Sequence, residues 1–163
     1  MKFTTFLATI LFTLPLHAQC ADENAPLVSC GVGHKTLNVC FNETTEILTY
    51  RYGPLGAPEL ELDRGLDALE LRTWSGVGNA IVESLEITNK GYIYEIYAGH
   101  DRREQTNFAG VTVSNGTTEL ANFACTRGGG GAWVFDPISV ALRKHGYCPN
   151  DHGYFRRDEV CAW

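Results

Sequence analysis

Several things missing from this 163-residue chain narrow its chemistry before any motif is sought. After Phe3–Leu16 no apolar run reaches the ~20 residues that a helix needs to cross a bilayer. Cations are scarce: 13 Lys and Arg stand against 19 Asp and Glu, a formal net charge of -6. That balance argues against nucleic acid or an anionic membrane as partner, and would steer a basic protein toward the chain. It also serves plain solubility. Neither CxxC nor HExxH occurs, so the usual zinc spacings are missing. The phosphate-loop pattern G-x-x-x-x-G-K is absent too, and the run Gly128–Gly131 is not such a loop. Neither Ser75 nor Ser114 stands in G-x-S-x-G or S-x-x-K, so neither has a visible activating context. There is no internal repeat.

The N-terminus does carry a signal. Lys2 followed by the apolar Phe3–Leu16 has the charge and length of a secretory leader, with Ala18 or Ala21 as the small residue before cleavage. Residues 1–18 are therefore expected to be removed, with cleavage as late as 21 the alternative. A lipid-anchored Cys20 is the competing reading, but Gln19 stands where a lipoprotein site wants a small residue. Residues 22–163 then form one domain, long enough for a proper core. The expected location is the periplasm or the medium.

That compartment decides how the six cysteines are read. Cys20, Cys30, Cys40, Cys125, Cys148 and Cys161 are expected as disulfides, with fifteen possible connectivities. Cys148–Cys161 is the best single pair, because it closes a short polar loop. Cys30 and Cys40 lie on consecutive strands and either bridge their turn or reach Cys125.

The strongest local pattern is Ile81–Ala98. Two alternating β-branched and aromatic runs flank an Asn89-Lys90-Gly91 turn, the composition of a β-hairpin. Tyr92, Tyr94, Ile96 and Ala98 point one way, and Ile93, Glu95 and Tyr97 the other. Further strands are expected at Val28–Val32, Thr36–Phe41, Ile47–Tyr52 and Glu59–Asp63, with Leu60 and Leu62 inward. The periodicity of Asp67–Trp74 does not decide between strand and irregular structure. Gly110–Val113 and Glu119–Cys125 form a hairpin around Asn115-Gly116. His100–Phe108 is polar enough to predict a long exposed loop, and Arg127–Gly131 a flexible joint. Asp136 as N-cap with Pro137 at the first helical position opens a short helix, whose stripe is Ile138, Ala141 and Leu142 and which Gly146 ends. The sum is a mainly β chain: an antiparallel sandwich or barrel of about eight or nine strands, disulfides and one short C-terminal helix.

Chemistry-bearing clusters are weak. His145, Cys148, Asp151, His152 and Cys161 are the right types for zinc, but one disulfide explains both cysteines. His100 and Asp101 are adjacent, and adjacent residues do not orient one another as a catalytic pair must. Glu59, Glu61 and Asp63 at a spacing of two suit a hard cation or a glycosidase pair, and equally the wet face of a strand. No catalytic residue, metal or cofactor is assigned.

The blocks Tyr52-Gly53-Pro54-Leu55-Gly56-Ala57-Pro58-Glu59-Leu60-Glu61-Leu62, Trp74-Ser75-Gly76-Val77-Gly78 and Gly110-Val111-Thr112-Val113 resemble small exported proteobacterial proteins of uncharacterised function. More loosely, the build is similar to periplasmic lysozyme inhibitors and to immunity proteins against cell-wall amidases. That resemblance implies a non-enzymatic protein that plugs a hydrolase with a loop. Some lysozyme inhibitors carry Ser-Gly-x-x-Tyr; here Ser75-Gly76 is followed by Val77, Gly78 and Asn79. The expected binding residues are Ser75, Gly76, Ser114, Asn115 and Gly116, flanked by His100 and Asp101. The expected partner is a protein, with no nucleic acid and no membrane span. A small secreted hydrolase or a structural envelope protein is the alternative.

Overall fold

The computed structural model describes residue 20 and residues 24–157. The expected leader, both cleavage positions and Cys161 lie outside the described residues. Two five-stranded antiparallel sheets make the body. The first contains β1 (Ala25–Val32), β2 (Lys35–Asn42), β3 (Ile47–Gly53), β4 (Leu60–Gly65) and, later in the chain, β10 (Arg127–Gly128), in the order β10-β1-β2-β3-β4. The second runs in chain order through β5 (Glu70–Arg72), β6 (Ala80–Asn89), β7 (Tyr92–Asp101), β8 (Thr106–Asn115) and β9 (Thr118–Ala124). Each sheet keeps its own two edges, so the arrangement is sandwich-like and not a closed barrel.

The alternation read from the sequence selects the inner faces. Val39, Tyr50 and Leu62 come into register across β2, β3 and β4, while Leu85 pairs Ile96 and Ile96 pairs Val111 across β6, β7 and β8. All six are buried. The faces meet through aromatic pairs: Tyr50 lies 5.7 Å from Tyr94, and Tyr52 5.1 Å from Phe123. Burying such side chains contributes ~1.5–3 kcal/mol each, which makes this interface the main source of stability.

Disulfides fix the periphery. Cys30–Cys125 ties the first sheet to the end of β9, and Cys20–Cys40 seals the outer face of β2. The Cys30–Cys40 alternative is excluded by register: Cys30 faces Leu37, whereas Cys40 faces Pro26. Cys148 is fully buried and disulfide-bonded, and its expected partner Cys161 lies outside the described residues. Structural disulfides persist in oxidising surroundings, so the chain is a protein of a non-cytoplasmic compartment. Among the described residues no helix is long and apolar enough to cross a membrane.

Three expectations need correction. The segment 100–108 is no long loop: His100 pairs Asn107 and Asp101 pairs Thr106, leaving only the tight turn 102–105. Its polarity misled because the strand ends project past the core, and polar side chains there stay wet. The helix α1 (Asp136–Lys144) starts one residue early, with Phe135 as N-cap and Asp136 already helical. Its C-terminus is as expected. Gly146 takes φ 79°, and the N–H groups of Gly146 and Tyr147 reach the carbonyls of Arg143 and Leu142, a Schellman end.

The third correction concerns the glycine run. It is a packed strap, not a flexible joint. A Cβ on Gly130 would lie 3.1 Å from Val134 and 3.2 Å from Ala98, and one on Gly131 3.0 Å from Asn107. The strap lies so close on Ala98, Val134 and Asn107 that even a methyl group would force these neighbours to give by a few tenths of an ångström. It delivers α1, whose Ile138, Ala141 and Leu142 are buried. The undecided stretch resolves into a single 3-10 turn, Leu66–Ala68, and β5. Beyond α1, a ribbon of β11 (Cys148–Pro149) and β12 (Phe155–Arg156) docks against β5: Tyr154 bridges Arg72, and the Thr73 N–H donates to Gly153 O at 2.9 Å.

Candidate functional site

Between β5 and β6 the chain leaves the sheet for residues 73–79. Ser75 to Asn79 are all exposed, and Val77 is 78 % exposed, the most open large apolar side chain described. The loop is nevertheless held. Trp74 Nε1 donates to Val77 O at 2.9 Å, closing the loop on itself. Arg102, from the β7–β8 turn, donates through its backbone N–H and through Nε to Asn79 O, each at 3.1 Å, and through its terminal nitrogen to Gly78 O. Its guanidinium lies 5.2 Å from the centre of the Trp74 ring, a cation–π stack. Gly76 and Gly78 take φ 86° and 96°, which side chains disfavour, and so set Val77 between them at the tip.

Trp133 completes the surface. It is half exposed and stands edge-on to Trp74 at 6.4 Å, with φ 67°. Beside the loop runs a cleft of about 220 Å³ lined by Arg72, Thr73, Trp74, Ser75, Val77, Ala80 and Val82. Asp101 anchors the neighbouring turn. Its carboxylate accepts the N–H groups of Glu104 and Arg103, and those bonds hold its pKa below the ordinary aspartate value. His100 Nδ1 lies 2.8 Å from Asn107 Oδ1.

The predicted site residues therefore divide. Ser75, Gly76, His100 and Asp101 share one end of the second sheet. Ser114, Asn115 and Gly116 lie at the β8–β9 turn, the other end of a ten-residue strand, about 30 Å away at strand rise. One cleft cannot take both. Sequence reasoning did not single out Trp133; Trp74 entered only within the block Trp74–Gly78, and Arg102 only within the polar stretch that starts at His100, with no sign that it pins the loop. Only the Val77 tip, between two glycines, carried a signal of its own. Arg72, Arg102 and Arg103 are exposed at this end, with the exposed Glu104 and the half-buried Asp101 in the same turn.

A second cavity of about 370 Å³ lies beside the C-terminal end of α1, lined by Thr45, Glu46, Ile47, Gly65, Leu66, Asp67, His145, Tyr147 and Arg157. His145 Nε2 and Glu46 Oε2 are 2.8 Å apart. A carboxylate so placed fixes the orientation of the imidazole ring.

The remaining candidates are separated by structure. Glu59 pairs Lys35 at 2.6 Å, Glu61 pairs Arg51 at 2.8 Å, and Asp63 accepts from the Thr49 hydroxyl at 2.7 Å. Each carboxylate has its own partner, so the row does not act as one ligand set. Among the described residues no three His, Cys, Asp or Glu converge as metal ligands. No protein-family model, curated protein or solved structure matches the chain.

Proposed function

We propose that this is an exported, non-enzymatic binding protein that inserts the 75–79 loop into a cleft of a partner protein. Its most specific form is an inhibitor or immunity protein of a peptidoglycan-degrading hydrolase. One observation carries the reading: an apolar tip, Val77, is held out in solvent by Trp74 and Arg102. Singly exposed apolar side chains are common on protein surfaces, but few are braced by a tryptophan and an arginine as Val77 is. One that is exposed and fixed loses little conformational entropy on docking, which raises affinity. Trp and Arg beside it are the residue types that dominate interface energetics. Exposed arginines at this end favour an acidic rim on the partner, even though the whole chain is acidic and would be drawn to a basic one.

The test is a titration of the oxidised protein into a broad panel of lysozymes and peptidoglycan amidases acting on cell walls. The reading expects loss of lysis at near-stoichiometric amounts for at least one enzyme. No effect on any of them would remove the inhibitor form.

A second reading, a small secreted hydrolase, draws support from the Glu46–His145 pair in its cavity. It expects wall-degrading activity in the protein alone that His145→Ala abolishes.

A further inference from the structure

Glu83 is the anomaly of the core. It sits on the inner face of β6, directly across from Ala98 on β7 and in line with Leu85 and Ile87. Only 1 % of its surface is exposed, and neither carboxylate oxygen accepts a well-formed hydrogen bond. No other charged side chain among the described residues is buried in this way. What covers it is the turn 132–135 and the first turn of α1. The backbone N–H groups of Phe135 and Trp133 face the carboxylate, as does one like charge, Asp136. On β7, His100 occupies the same face one alternate position beyond Ala98, and Gly130 of the strap packs on Ala98.

The turn that covers Glu83 also carries Trp133. That residue is held at φ 67°, a conformation that costs a non-glycine residue energy and persists only where its surroundings offset that cost. Its ring meets Trp74, and Trp74 holds Val77 O. A continuous chain of contacts thus joins the buried carboxyl to the tip of the loop. The Phe135 and Trp133 N–H groups favour a charged carboxylate, but burial and Asp136 outweigh them, so seating the turn over the charged form costs more than seating it over a neutral carboxyl. By linkage, a proton on Glu83 favours the seated turn, and its loss favours an arrangement in which the carboxylate meets water.

We propose that Glu83 is a proton-operated latch on the binding loop. Neutral, it lets the turn 132–135 seat on β6 with Trp133 against Trp74; ionised, it lifts the turn and frees the loop from that support. The inference rests on the docking role proposed for the 75–79 loop, and supplies its regulation by pH. The raised pKa of Glu83, from burial first and Asp136 second, agrees in direction.

The test follows amide, indole and carboxyl resonances of the free, oxidised protein by NMR from about pH 4 to about pH 8, a range that brackets glutamate and histidine titration. The Trp133 amide and the Trp74 and Trp133 indole signals are expected to move together, with one midpoint above the ordinary glutamate value. Glu83→Gln should abolish that movement, and Asp136→Asn should lower its midpoint. Movement that survives in Glu83→Gln would belong to a histidine and would overturn the latch. So would tryptophan signals that stay fixed while the Glu83 carboxyl carbon titrates. If Glu83→Gln does not fold, the Asp136→Asn midpoint decides: an unmoved value overturns the proposal. No partner is present in this experiment, so its failure leaves docking intact. Loss of docking with the titration preserved would remove docking instead.

Discussion

Two glycine-rich stretches in this chain look alike on paper and do opposite things. Gly76 and Gly78 stand in open space, where an added Cβ would meet nothing within 4 Å; they are glycines for their positive φ. Gly130 and Gly131 have φ values open to any residue and are glycines because a neighbour lies where the Cβ would be. The first pair shapes a loop that projects. The second lets a strap lie flat on Ala98 and deliver α1 and Trp133 to the core's rim. Glycine in a sequence therefore signals either a turn or a close approach, and only the neighbours distinguish them.

Substitution separates the two uses. Gly130→Val should be the most damaging change, costing about 3 kcal/mol by overpacking, and it should appear as a large drop in the denaturation midpoint. Gly78→Ala meets no neighbour, so it should cost only about 1–2 kcal/mol, the penalty of a side chain at positive φ. Its marked effect should be local, as faster hydrogen exchange at Val77 and Asn79. If the two variants lose equal stability, the distinction between shaping and packing fails.

The strap's burden can be read through pH. The folded-state pKa of Glu83 is raised, so the folded chain holds this proton more tightly than the unfolded chain. The associated stability is fully present below the unfolded glutamate pKa and is lost as pH rises through the folded value. Glu83→Gln, neutral throughout, should melt higher than wild type at neutral pH, with the gap closing in acid. A gap that widens in acid would reverse the sign and place a stabilised charge at Glu83. The smallest effect belongs to the outer face of the first sheet. Arg51→Ala breaks the exposed pair with Glu61 and should cost about 0.5 kcal/mol or less, within the scatter of ordinary surface substitutions.

Much of the sandwich was legible because period-two alternation is a direct image of a sheet with one wet face. The β6–β7 hairpin and the inward Leu60 and Leu62 follow from it, and the helix stripe follows from the separate 3.6-residue period. Polarity deceived at 100–108, where strands outrun the core and their residues need not be apolar. The paired glycines deceived because packing partners such as Ala98 lie far away in sequence. The site was half legible for the same reason. Ser75 and Gly76 announce a turn, but the Arg102 that pins it and the Trp133 that backs it arrive from other elements. Glu83 was invisible, since nothing in an alternating strand marks which position a distant helix will cover.

The docking role proposed for the fixed, exposed tip at Val77 separates that side chain from every other exposed apolar residue described. It is tested most directly by repeating the hydrolase titration with Val77→Asp beside Leu120→Asp. Leu120 is an equally conspicuous exposed apolar residue, 54 % exposed, near the opposite end of the same sheet. Leu120→Asp should inhibit like wild type, while Val77→Asp should keep its melting temperature and lose inhibition. Equal inhibition by both variants, or loss with Leu120→Asp alone, would contradict it.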